Sequence, residues 1–239
     1  MVVGPVAGSR STGLIHKAMS NAASMRHVIS ALALLSAVAA APAPDPVLRQ
    51  LVADAKADKP VAFERTQRVE DTGKKAIVYV DRYNPALADP WKLVSVDGRA
   101  PKSDEMGDWR KTLRNGVPSY GRVALLLGGA ARVDANHYHI AHLPKGFVPR
   151  DSFGEHLLAD VVVDTSTSRP FVREARFYAA GPFRMFIIAK IEKFDATNHY
   201  APGPDGVMRI VAQDTVLSGS GPGMSGTEIK HVTFTPIAR

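Results

Sequence analysis

The sequence predicts an α+β domain that is mainly β: one strongly curved antiparallel sheet of about ten strands, covered by two amphipathic helices. Three observations carry this prediction. From Val61 to the end, apolar residues recur mostly at period two, in segments interrupted by Gly- and Pro-rich turns. The connectors are short, which joins neighbouring strands in antiparallel order instead of through long parallel crossovers. Two segments are read as helices from apolar residues at helical spacing.

The first element is a helix over 46–58. Asp45 supplies an N-cap, Pro46 sits at the first helical position, and Val47, Leu48, Leu51, Val52 and Ala55 form one apolar stripe that ends before Pro60. The period then changes to two. Phe63 and Val69 share a face opposite Glu64, Thr66, Arg68 and Glu70, and Asp71-Thr72-Gly73 makes a turn. Ala76–Tyr83 returns as a second strand, with Ile77 and Tyr79 opposite Val78 and Val80, and Trp91–Val96 is a third. A second helix starts at a cap on Ser103. Met106, Trp109 and Leu113 follow at helical intervals, Asp104 and Glu105 favour its first turn, and Asn115-Gly116 closes it. Strands are expected over roughly 119–127, 134–143, 157–165, 171–180, 183–194, 206–217 and 227–235. A sheet of this many strands curls. Leu157–Val163 and Met185–Ile191 are apolar on both faces, so the two helices must cover one side.

Before the domain lies an export signal. Met25-Arg26-His27 is basic, Val28–Val38 is an uncharged apolar run of eleven residues, and small residues follow to Ala41-Pro42. The run is too short to span a bilayer, which takes roughly 20 apolar residues. The chain therefore divides into an upstream extension (1–24), a signal peptide (25–40), a spacer with the first helix (41–60) and the sheet domain (61–239). Translation starts either at Met25 or at Met1 with a long basic leader; the position of the apolar run favours Met25. Cleavage after Ala39 or Ala40 releases the mature chain into the periplasm, with no transmembrane segment.

That cleavage removes Arg10, Lys17 and Arg26 and no acidic residue, so 30 basic residues become 27 against 23 acidic. No basic run is left to make a nucleic-acid footprint. The absence of cysteine excludes a disulfide scaffold, thiol chemistry and a lipidated N-terminal cysteine.

Val80-Asp81-Arg82-Tyr83-Asn84-Pro85 runs into Trp91-Lys92-Leu93-Val94-Ser95-Val96-Asp97-Gly98-Arg99-Ala100-Pro101. This stretch, with the order of helices and strands behind a signal peptide, resembles the periplasmic lipoprotein-sorting (LolA/LolB-like) half-barrel family over about 60–239. The resemblance implies a half-barrel whose concave apolar face, lidded by helices, holds a lipid or lipoprotein acyl chain. It implies outer-membrane lipoprotein sorting or transport as the role. No cofactor and no catalytic residue is expected. Phe177, Met185, Ile187 and Ile191 are the candidate cavity-lining residues, because Met185, Ile187, Ala189 and Ile191 alternate on one expected strand face next to Phe177. Whether Phe171, Phe177, Phe183, Phe186 and Phe194 line a hollow or fill a core is left open.

Three other patterns bear on function. His137-x-His139-x-x-His142 puts His137 and His139 on one strand face and His142 on the other. Zinc wants three or four convergent ligands, so a polar strand face is the expectation. A metal-dependent hydrolase built on the His137/His139 region is the alternative function, and a structural envelope-interaction domain is the third. Gly221-Pro222-Gly223-Met224-Ser225-Gly226 matches G-x-G-x-x-G but precedes an expected strand, not a helix, and reads as a hairpin loop. Asp160 and Asp164 stand about 13 Å apart along a strand, too far to act as a catalytic pair.

Overall fold

The expected first helix is α1, Pro46–Lys56, in a computed structural model that describes residues 45–56, 59–112, 119–148, 151–185, 189–221 and 224–237. The expected export segment, the expected extension before it, Leu113, Asn115-Gly116 and Ile187 lie outside the described residues. Asp45 caps α1 as expected, its Oδ1 accepting from the Val47 N–H at 2.8 Å. The other carboxylate oxygen accepts from Arg132 Nη1 (3.0 Å) and the Tyr138 hydroxyl (3.2 Å), which ties the start of the helix to the far end of the sheet. Asp54 near the other end binds Arg169 in a bidentate pair, and that guanidinium holds its carboxyl below the usual range. Between these two clasps, Leu51 and Ala55 are buried.

The three N-terminal strands are β1 (Phe63–Asp71), β2 (Ile77–Tyr83) and β3 (Trp91–Val96), all within two residues of expectation. Asp97-Gly98 then turns the chain with both residues at positive φ. Helix α2 covers Ser103–Thr112. Ser103 is its first helical residue, and the capping contact is made by Glu105, which accepts the Lys102 N–H at 2.8 Å.

The segment expected as a strand over 119–127 is instead helix α3, Tyr120–Leu126, followed by a 3-10 turn at Leu127–Gly129. Ser119 is its N-cap. Tyr120, Val123, Ala124 and Leu127 are all buried, at positions i, i+3, i+4 and i+7. The apolar run Val123–Leu127 is five residues long, too short for periodicity alone to separate buried strand from buried helix. The packing decides it, because α3 lies against α1 and the strand that begins at Phe171.

The remaining chain is β4 (Ala131–Arg132), β5 (His137–Ile140), a one-turn α4 (Asp151–Gly154), β6 (Leu157–Asp164), β7 (Phe171–Ala179), β8 (Phe183–Met185), β9 (Ala189–Pro202), β10 (Met208–Gly221) and β11 (Met224–Pro236). The strand expected over 183–194 is two strands. Met185 ends β8 and faces Ala189 across the ladder, so they do not follow one another along a single strand. β9 then runs eight residues beyond the expected end.

All pairings are antiparallel, in the order β3-β2-β1-β11-β10-β9-β7-β6-β5-β4, with β8 paired to β9 off this path. The sheet is open, with β3 and β4 at its edges. β1 and β5 are six strands apart in that order, roughly 29 Å in a flat sheet. Phe63 of β1 and Tyr138 of β5 nevertheless belong to one buried core with Leu51 of α1 and Val123 of α3. The sheet is curved, and its concave side receives α1 and α3. A bulge at Val211 in β10 sets the facing there. Because one extra residue is inserted, Ile210 and Gln213 both point to the concave side.

Candidate functional site

A hollow of about 300 Å³ lies where the ends of β1, β10 and β11 meet the start of α3. Phe63, Met208, Ile210 and Phe234 come to it from the sheet, and Ser119 and Tyr120 from the helix. Pro60, Val61 and Pro236 complete the apolar part. Alternation puts Phe63 and Phe234 on the same concave face, with rings 5.3 Å apart and edge-on. Phe63 also stacks on Tyr83 at 5.3 Å and meets the edge of Trp91 at 5.8 Å, so a packed aromatic group fixes one side of the hollow. Tyr120 is held from two directions. Its ring meets Tyr200 edge-on at 5.6 Å, and its hydroxyl accepts the Val172 N–H at 3.1 Å. These side chains cannot easily collapse inward.

Two cations line the same hollow, Lys59 and Arg209. Arg209 follows a tight connection in which Val207 N–H donates to Asp205 Oδ1, and its Nη2 pairs with Asp205 Oδ2 at 2.5 Å. The guanidinium lies on Gly203: a Cβ there would collide with Nη1. Ser119 Oγ already accepts the Arg122 N–H as a helix cap, and Tyr120 is engaged in the core. The hollow is an apolar receptacle with basic groups, suited to van der Waals contact with a chain.

A shallower depression of about 230 Å³ lies beside Arg122, Leu125, Pro144 and Phe147. Arg122 there donates to the carbonyl oxygens of Gly146 and Phe147 and covers the Phe147 ring at 5.3 Å, so its charge is engaged by the loop.

The concave face also carries a buried polar group. Asp81 is fully buried and accepts four hydrogen bonds: from Arg65 Nε (2.9 Å) and Nη2 (2.7 Å), Gln67 Nε2 (3.1 Å) and the Trp109 indole (2.7 Å). Arg65 in turn lies 4.5 Å over the Trp91 ring. Two strands farther on, Gln213 donates to Asn198, and Asn198 donates to the Tyr200 hydroxyl.

Of the residues expected to line a cavity, Phe177 is buried against the Phe147 ring, 5.4 Å away, and Ile191 is buried. Met185 is half-buried at the end of β8, and Ile187 lies outside the described residues. The hollow is built from other strands and from α3, and Phe177, Met185 and Ile191 are not part of its lining. Phe63 was legible as an inward residue. Tyr120 was hidden by the strand reading of its segment.

His137 and His139 do share an outward face, with Tyr138 and Ile140 buried between and beyond them. Each has its own carboxylate: His137 Nδ1 lies 2.7 Å from Asp134, and His139 Nδ1 lies 2.7 Å from Asp160. His142 follows in the bend after β5. Among the described residues, no three His, Asp or Glu side chains are grouped to hold a metal ion. β10 ends at Gly221 and β11 follows at Met224, so the glycine-rich segment joins two strands. Among the described residues no helix is long and apolar enough to cross a membrane. Compared with known protein families, curated proteins and solved structures, the chain matches none.

Proposed function

We propose that this domain, after export to the periplasm, binds one acyl chain of a lipid or lipoprotein and carries it without catalysis. The observation that supports this is the apolar hollow formed by Phe63, Ile210, Phe234 and Tyr120 between the open sheet and α3. At about 300 Å³ it stands at the lower end of small-ligand sites, which run to about 1,000 Å³. A methylene takes up roughly a water's share of liquid volume, about 30 Å³, so on the order of ten carbons fit. At about 0.8 kcal/mol per buried methylene the chain contributes roughly 8 kcal/mol, a micromolar Kd before ordering costs. Transport between membranes needs affinity of this order, since the cargo must also leave.

The test is calorimetry with a series of straight-chain amphiphiles. Affinity should rise about fourfold per carbon up to roughly ten carbons and then level off. Ile210→Trp, which fills the hollow, should weaken every chain at least tenfold. No binding by any chain length, or a dependence that ignores chain length, would refute the proposal.

A further inference from the structure

We infer that the chain bound in this hollow ends in an anionic oxygen head, a carboxylate or a phosphate, received by Arg209 with help from Lys59; the inference rests on the acyl-chain reading above. Buried donors in folded proteins are almost always paired, and an unpaired one calls for an explanation. Among the described residues, Arg209 Nε is the buried side-chain nitrogen or oxygen without a partner. The Arg209 side chain is 14% exposed. Its Nη2 is engaged by Asp205, which leaves Nε as spare donor capacity on a permanently charged group. Arginine presents its donors as a planar fork, and carboxylate or phosphate oxygens match it. Arg209 and Lys59 line the same hollow as Phe63, Ile210 and Phe234. An apolar receptacle joined to two cations fits an amphiphile with a negative head better than a neutral or cationic one.

Gly203 provides a way to test orientation apart from charge. A methyl group there would collide with the mobile end of the Arg209 side chain, not with backbone. Gly203→Ala should therefore re-aim the guanidinium at little cost to folding. Lys59 is exposed, so Lys59→Gln removes charge without disturbing the core.

The experiment measures decanoate, decyl phosphate and decanol binding to the mature protein by calorimetry, at two salt concentrations. At least one of the two anions should bind tenfold or more tightly than decanol, and the better of them identifies the head. Arg209→Gln and Gly203→Ala should each remove most of that advantage, read as the ratio of anion to decanol affinity, and Gly203→Ala should leave decanol affinity within twofold of wild type. Lys59→Gln should reduce it two- to threefold. Added salt should weaken the anions alone. Decanol binding as tightly as both anions would overturn the inference and leave the acyl-chain reading standing. Equal weakening of all three ligands by Gly203→Ala would also overturn it. If none of the three binds to wild type, both readings fall together.

Discussion

Asp81→Ala should be among the most destabilising single substitutions on the concave face. The side chain is fully buried and answers four donors at 2.7 to 3.1 Å, and Arg65 beside it is only 11% exposed. Removing the carboxylate leaves a guanidinium, an amide and an indole N–H pointing at a space no water readily fills. Breaking a buried ion pair from one side costs about 3–5 kcal/mol, mostly from the charge left behind. For a domain of this size, each kcal/mol moves Tm by about 2–4 °C, so a fall of about 10 °C is expected. The loss should also be local. Trp109 joins Leu93 and Val96 in a small cluster apart from the main core, so α2 is fastened chiefly by that indole and its bond to Asp81. Hydrogen exchange across Ser103–Thr112 should therefore accelerate more than exchange in β9 or β10.

The double variant Arg65→Met/Asp81→Leu separates charge from packing. Both charges are gone, and what Gln67 and Trp109 lose is the Asp81 acceptor. It should be at least about 1 kcal/mol milder than Asp81→Ala, because an apolar pair of similar volume often replaces a buried ion pair at little cost. Urea unfolding followed by tryptophan fluorescence, with equal m-values, measures both. An Asp81→Ala effect below about 1 kcal/mol, or a double variant no milder than the single, would refute the reasoning.

Two further predictions follow from the same geometry and sequence. Glu105 accepts both terminal nitrogens of Arg99 and the Lys102 N–H, which pulls its pKa from the usual 4.5 to about 2. Folding therefore favours its ionised form: its contribution is complete above about pH 4.5 and is lost as pH falls toward 2. Glu105→Gln should be less stable than wild type at pH 7, with the gap closing between pH 4.5 and 2; parallel acid-unfolding curves would count against it. For export, N-terminal sequencing of the stable periplasmic product should begin between Ala40 and Pro42, and recovery of Met1 or Met25 would exclude the signal-peptide reading.

The elements governed by local pattern were legible in the sequence. Asp45-Pro46 fixed the start of α1, and alternation with turn residues placed β1, β2, β3, β6 and β7 within two residues of their ends. What escaped was set by distant contacts. The segment after Ser119 carries both a helical stripe and an unbroken apolar run, and only its docking on α1 and β7 selects the helix. The closure of β11 onto β1 joins residues more than 150 positions apart, and no turn signal specifies it. The hollow depends on both, since Tyr120 comes from α3 and Phe234 faces Phe63 across that closure. Sequence therefore pointed to β7–β9 for a cavity whose lining comes from β1, β10, β11 and α3. One signal was available. With Glu64, Thr66, Arg68 and Glu70 assigned outward, Arg65 and Gln67 must share the inward face with Phe63, and a buried cation calls for a carboxylate such as Asp81.

The concave face is graded along β1, and the grading explains where a ligand can act. Phe63 stands at the hollow, Arg65 one inward position along, and Gln67 one more, and each meets a matched neighbour: Phe234, Asp81 and the Asp81 carboxylate again. Asn198, Gln213 and Tyr200 satisfy one another in the same way. Polar groups bonded to each other in this manner specify the packing of the sheet and have little capacity left for a ligand. Arg209 differs in both respects. It stands at the hollow instead of behind it, and its Nε is buried without an acceptor. The polar interior that stabilises the fold and the cation proposed to meet a ligand are thus separate devices. Asp81→Ala should lower stability with chain affinity retained in the folded fraction, and Arg209→Gln should lower anion affinity with stability retained.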